Sequence, residues 1–285
     1  MRPGVLALIG YLVLGLAAPL ANKAAAQELP IVVIIMDDLG YNRAVGMRAL
    51  SLQGNLTYAI LPNTPSAEVL ARHAHASGKE VIVHAPMASA HRFNPGPGAL
   101  SDQLGHSEFL TTVRGNIRAI PHARGMNNHM GSALTPMPEF MGLLMAVVAE
   151  NDLYFIDSRT TATTVAASIA EHFQIKHLSR DVFIDHDPTM AAIDAAFQRL
   201  LTLARRNGIA VGIAHPYPTT LQYLETVLPN LHATEQVQLL SGSDAIAVRY
   251  ASRNSEPKLA AKRSTGVSRS GSGAAVNAVF QAIDK

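Results

Sequence analysis

Cysteine and tryptophan are both absent from this chain of 285 residues. Without cysteine there are no disulfides, no thiolate nucleophile and no sulfur ligands, so any metal must sit on His, Asp or Glu. Aromatic residues are scarce, at 5%. The formal charge is only +2, and much of the positive excess falls after Arg249, so no basic face speaks for nucleic acid. No apolar run is long enough to be a clear membrane span: Val5 to Ala18 falls short of the roughly 20 residues a spanning helix needs. What the chain does have is 48% hydrophobic residues in regular patterns, enough for one large globular core.

The two ends read differently from the middle. Arg2 supplies a positive start, Val5 to Ala18 an apolar segment, and Ala24, Ala25 and Ala26 a small-residue site, which together predict a signal peptide over residues 1–26 with cleavage before Gln27. The protein is then exported, to the periplasm or outside the cell, and touches a membrane only through that segment if it is retained as an anchor. Residues 251–285 are rich in Ser, Arg, Lys, Gly and Ala and are expected to be disordered, with a short helix possible over Ala274 to Ile283.

Between them, residues 27–250 alternate short apolar runs with helical patterns. Strands are expected near Ile31 to Met36, Leu56 to Ile60, Glu80 to His84, Arg124 to Asn127, Tyr154 to Ile156, Val182 to Ile184, Ile209 to Ala214 and Val237 to Leu240. Helices are expected near Asn42 to Ser51, Ala67 to Ala76, Glu108 to Ile120, Pro138 to Asn151, Thr164 to Phe173, Met190 to Asn207 and Thr219 to Leu228. Such repetition predicts an α/β fold with a parallel sheet covered by helices, and seven or eight units favour a single-domain barrel over an open sheet. His91 to Gly105, rich in Pro, Gly and Asn, reads as a long loop beside the third strand.

The polar residues collect where the strands end. Asp37 and Asp38 follow the first strand, His84 the third, Asn127, Asn128 and His129 the fourth, Asp157 and Arg159 the fifth, Asp185 the sixth and His215 the seventh. A barrel gathers its catalytic groups at these tips. Asp38 with two or three of the histidines offers an oxygen and imidazoles, a donor set suited to a catalytic zinc site with a position left for water. Plainer readings stand beside this one. Asp38 to Tyr41 also suits a turn with one Asp capping the next helix, Asp157 to Arg159 a buried ion pair with a cap, and Asp185 to Asp187 a cap for the long helix.

These stretches resemble a known family. Ile34-Ile35-Met36-Asp37-Asp38-Leu39-Gly40 is similar to the Asp-Asp motif of NodB-type polysaccharide deacetylases, Gly78 to His84 to their Gly-x-Glu-x-x-x-His segment, and Ile213-Ala214-His215-Pro216 to their late Leu-x-His segment. Asn127 to Ser132, Phe155 to Thr160 and Arg180 to Asp185 resemble signature stretches of the divergent polysaccharide deacetylases. The resemblance spans about Pro30 to Leu240 and implies a distorted β/α barrel with a divalent metal, usually zinc, that removes N-acetyl groups from a sugar. It implies Asp37 as general base, Asp38 and His84 as metal ligands and His215 as the acid that protonates the departing amine. The family's second metal histidine lies four residues after the first, where this chain has Ala88; His129 is the candidate replacement. Asn128, Asp157, Arg159 and Asp185 are candidates for a substrate-binding or orienting role, Asp157 and Arg159 by orienting His215 or binding the substrate.

The expected partner is thus an acetylated carbohydrate, or a small envelope substrate, since the lack of Trp argues against a long stacking groove. A non-catalytic carbohydrate-binding module on the same fold, and a metal hydrolase of another amide or ester, are the alternatives. One stereochemical demand remains: adjacent strand residues point to opposite faces, so Asp37 and Asp38 reach one site only if the backbone turns sharply there, for which Leu39-Gly40 is the expected place.

Overall fold

The computed structural model describes residues 29–255 of the protein. The expected signal segment, and the expected tail beyond residue 255, lie outside the described residues.

The elements run β1 (Ile31–Leu39), α1 (Arg43–Leu50), β2 (Thr57–Ile60), α2 (Ala67–Ala76), β3 (Glu80–Met87), α3 (His106–Arg118), β4 (Gly125–Met130), α4 (Pro138–Glu150), β5 (Tyr154–Asp157) and α5 (Ala166–His172). They continue with β6 (His177–Ser179), β7 (Val182–Phe183), α6 (Met190–Asn207), β8 (Ile209–Ala214), α7 (Pro218–Val227), α8 (Leu231–Glu235), β9 (Gln238–Leu239) and α9 (Gly242–Ser255). Every pairing between strands is parallel, in the order β6-β5-β4-β3-β2-β1-β8-β7, with β9 added beside the start of β1.

The fold is an α/β half-barrel of parallel strands, and its distortion has a simple origin. β6 and β7 are separated only by Arg180 and Asp181, too short a link for two parallel neighbours, so they act as two halves of one bent segment. The first half pairs with β5 and the second with β8. At the bend, the Arg180 amide donates to the Asp157 carbonyl, while Asp181 exchanges a hydrogen bond in each direction with the Val211 backbone, one of them through its carboxylate.

Strand alternation sorts the core into two layers. Ile31, Val33 and Ile35 face the concave side with Ala59, Ile82, Ile156, Leu178, Val211 and Ile213. Val32, Ile34 and Met36 face the opposite side, where the surrounding helices pack through residues such as Leu70, Phe109, Leu144, Phe197 and Leu200. β1 is therefore apolar on both faces, as a central parallel strand must be, and each fully buried side chain of this size contributes about 1.5–3 kcal/mol. Ala245 and Ile246 of α9 join the concave layer. Glu80, at the start of β3, accepts from Thr57, Tyr154 and the Ser243 backbone, tying the start of α9 to the N-terminal ends of the strands.

Three expectations shift in detail. β1 continues to Leu39 through a register shift between Met36 and Leu39 rather than ending at Met36. β3 and β4 run on to Met87 and Met130, which places His84 within its strand and not at its end, and Asn128 and His129 inside a strand and not beyond it. α9 is an element the sequence did not predict; its last residues, 251–255, fall within the expected tail, and it packs on the concave core through Ala245 and Ile246.

Candidate metal and acid–base centre

The sharp turn needed at the tip of β1 occurs at Asp38 itself, which adopts a left-handed backbone with φ 59°, followed by Gly40 at φ 130°. Asp and Asn are among the few side chains that tolerate this region. A side chain at Gly40 would run into Thr64, so the turn is also sterically reserved for glycine. Asn42 caps α1 by accepting from the Val45 amide, which leaves Asp38 free of the capping role. Both carboxylates consequently face one cleft of about 270 Å³ together with His84, His129, Asp185 and His215.

Three donors converge there. Asp38 Oδ1 lies 2.8 Å from His129 Nδ1 and 3.1 Å from His84 Nε2, and the two imidazole nitrogens are 3.1 Å apart. The register explains the meeting: Pro86 pairs with His129 and His84 with Asn127, so β4 brings His129 alongside His84 at the strand tips. Tetrahedral zinc with N and O ligands at 2.0–2.1 Å would space its donors by about 3.3 Å, so the three atoms fit such an ion with adjustments of a few tenths of an ångström.

Asp37 is buried beside this triangle, with Oδ2 3.6 Å from His84 Nε2 and Oδ1 accepting from Asn127 at 2.8 Å. Burial raises the Asp37 carboxyl above its usual range, an effect only partly offset by His84 and His215. Burial also acts to raise Asp38, but hydrogen bonds from His129 and His84, with their charge, carry it far below the usual carboxylate range. His84 is raised: its burial works against the charged form, and Asp37 and Asp38 outweigh it.

Asp185 holds His215. Its Oδ1 lies 2.8 Å from His215 Nδ1, and its Oδ2 accepts from the His215 backbone amide at 2.6 Å and from Thr220 at 2.9 Å. This turns Nε2 toward the cleft, 4.0 Å from Asp38 Oδ2. Burial opposes charge on His215, yet Asp185, with help from Asp37 and Asp38, raises its pKa to about 9.

The other candidates separate. Asp157 and Arg159 do not meet His215, because β5 lies between β4 and β6 whereas β8 pairs with β7. The Asp157 carboxylate instead accepts from the Arg159 backbone amide and from Thr164, organising the loop after β5, and the Arg159 guanidinium faces the Arg180 carbonyl at 3.4 Å. Neither residue lines the cleft. Asn128 does, while donating to the Met130 carbonyl and accepting from the Ser158 amide. The capping of α6 falls to Thr189, not Asp185. Among the contributors not singled out from the sequence are Phe183 and Tyr217, whose rings lie 6.2 and 5.6 Å from that of His215 and which line the same cleft. A larger depression of about 600 Å³ at the opposite ends of the strands is lined by residues such as Lys79, Glu80 and Arg124 and holds no comparable meeting of donors.

The half-barrel of parallel strands thus gathers carboxylate and imidazole groups at its C-terminal tips. Residues 34–245 match the divergent polysaccharide deacetylases, and the chain belongs to that family. It is 34% identical over 219 residues to the Escherichia coli K12 protein YibQ, covering 77% of this chain and 68% of that one. It is 32% identical over 207 residues to a Haemophilus influenzae protein, covering 73% of each. The crystal structure of ATU2773 from Agrobacterium tumefaciens C58 shares the fold, with a TM-score of 0.72 at 20% identity over 78% of this chain and 91% of that one.

Proposed function

We propose that the protein is an exported, metal-dependent hydrolase that removes N-acetyl groups from a carbohydrate of the cell envelope. The observation that carries this reading is the convergence of Asp38, His84 and His129 between a buried carboxylate, Asp37, and a carboxylate-held imidazole, His215, in one cleft. A divalent cation held by Asp38, His84 and His129, most readily zinc, would supply polarisation of the acetyl carbonyl and a lowered pKa for water at the site.

The chain's own groups complete the reaction. Asp37, made more basic by burial, takes a proton from the attacking water as the new C–O bond forms at the acetyl carbon. His215 Nε2 gives its proton to the amide nitrogen as the C–N bond breaks, so acetate and a free amine leave. Asp185 keeps the His215 ring aimed and favours its protonated form until that transfer. A pure binding module needs neither a base nor an acid, so their presence in the cleft favours hydrolysis over the binding alternative. The cleft lies just below the usual range of small-molecule sites, roughly 300–1,000 Å³, and fits one sugar residue better than an extended glycan. Export rests on the N-terminal pattern of residues 1–26.

The test is elemental analysis of the purified protein beside acetate release from N-acetylglucosamine oligomers. About one zinc per chain, lost in Asp38→Ala and His129→Ala, is expected. Asp37→Asn and His215→Ala are expected to keep zinc and lose turnover by about 10²–10⁴-fold. A protein that takes up no metal on reconstitution and releases no acetate would sink the hydrolase reading. Export is checked by N-terminal sequencing of the native protein, which should begin at Gln27.

A further inference from the structure

We infer that Asn127 is a positioning residue that sets two groups of the centre at once: it holds the Nδ1 proton of His84, so that Nε2 faces the cleft, and it anchors the carboxylate of Asp37. The catalytic meaning of this arrangement rests on the proposed deacetylase reading; the hydrogen bonds themselves do not.

Asn127 is fully buried beneath the cleft on β4, directly opposite His84 in the register with β3. Its Nδ2 donates to Asp37 Oδ1 at 2.8 Å and lies 3.4 Å from Ser158 Oγ, and its Oδ1 lies 2.7 Å from His84 Nδ1. The orientation of the amide follows from its surroundings. The NH₂ end donates to Oδ1 of Asp37, an oxygen that can accept whether or not the carboxyl is ionised. The carbonyl end, which only accepts, then faces His84 Nδ1, and that nitrogen must carry a proton.

The consequence reaches both sides of the centre. With Nδ1 committed as donor, Nε2 is the nitrogen of His84 that points at Asp38 and His129. On the other side, no Lys or Arg among the described residues pairs with Asp37; its ion-pair partner is His84 at 3.6 Å, and the neutral amide is what fixes its position. A single side chain thereby couples the aim of a candidate ligand to that of the candidate base. Nothing in the composition of Asn127-Asn128-His129 distinguishes the first Asn from the second; only the register with His84 does.

The test uses the full-length protein with uniform ¹⁵N label, and zinc ion as the probe. The Nδ1 proton of His84 is observed by long-range ¹H–¹⁵N correlation and assigned against His84→Gln. Asn127→Asp keeps an acceptor for that proton but loses the donor to Asp37, and Asn127→Leu loses both. The His84 resonance is expected in the wild type and in Asn127→Asp, and lost to solvent exchange in Asn127→Leu. Zinc affinity is expected to fall by about 10–100-fold in Asn127→Leu, the usual cost of losing a partner behind a metal ligand, and to stay close to wild type in Asn127→Asp. Asn127→Ala replaces Asn127→Leu if circular dichroism shows the latter unfolded. A resonance absent from the wild type, or one that survives in Asn127→Leu with unchanged zinc affinity, overturns the inference. If the wild type binds no zinc but the resonance pattern holds, the positioning role stands and the metal-dependent reading falls.

Discussion

His215 and Asp185 lie 30 residues apart in the chain and meet twice, through the imidazole Nδ1 at 2.8 Å and the backbone amide at 2.6 Å. One carboxylate thus fixes both the backbone and the ring of the residue that β8 delivers to the cleft. The pairing of β7 with β8 brings them together, and Thr220 completes the cradle.

The first prediction concerns this pair. His215 binds its proton more tightly in the folded chain, with a pKa of about 9 against an ordinary 6.5. A raised value stabilises the fold fully below pH 6.5, and that contribution is lost as pH rises through about 9. Asp185→Asn should lower the His215 pKa, read by NMR titration. Its melting temperature should trail the wild type most at pH 6 and least above pH 9–10, where both imidazoles are neutral. A gap that widens with pH would contradict the assignment.

The second prediction concerns Tyr217. Its ring is 44% exposed, lies 5.6 Å from that of His215 and lines the cleft, with Phe183 as the other aromatic neighbour. A ring held open to solvent at such a place suits contact with a substrate face. Tyr217→Ala should raise KM about 2–13-fold, matching an aromatic contact of about 0.5–1.5 kcal/mol, and leave kcat nearly unchanged. A fall in kcat at unchanged KM would assign Tyr217 to the chemistry instead.

The third prediction tests the far end of the sheet. Tyr154 donates to Glu80 at 2.6 Å, and Glu80 also accepts from Thr57 and the Ser243 amide at the start of α9. Burial, reinforced by the neighbouring carboxylate, holds the Tyr154 phenol well above its usual pKa, so it remains a donor. Tyr154→Phe should cost about 1.5–3 kcal/mol in urea unfolding, as for a hydrogen bond to a charged group, and leave the cleft residues undisturbed.

Much of this architecture is legible in the sequence because apolar runs such as Ile31 to Met36 end abruptly in polar residues, and most of those polar residues, Asp157 and Arg159 apart, are the ones that meet. Three features are not legible, each for a physical reason. β6 is only His177–Ser179 and is followed by two charged residues, so no apolar run marks it; its pairing comes from β5. α9 shares the Ser and Arg content of the tail, and only Ala245 and Ile246 among its described side chains are buried, so its order is tertiary. The role of Asp185 depends on which strands are neighbours, and linear order offered Asp157 just as readily.

The last prediction separates strain from charge at Asp38. The residue sits at φ 59°, which Asn tolerates and Ala resists, and its carboxylate bridges His84 and His129. Asp38→Asn and Asp38→Ala both remove the charged oxygen donor, so both should lose zinc. Only Asp38→Ala also places a poorly suited residue in the left-handed turn, at a cost of about 1–2 kcal/mol. In metal-free protein, Asp38→Asn should therefore unfold at higher urea than Asp38→Ala, with similar slopes. Equal midpoints would mean that the tip of β1 relaxes out of the left-handed turn in Asp38→Ala. The convergence of Asp37 and Asp38 on one cleft would then depend on the aspartate's own tolerance of that backbone.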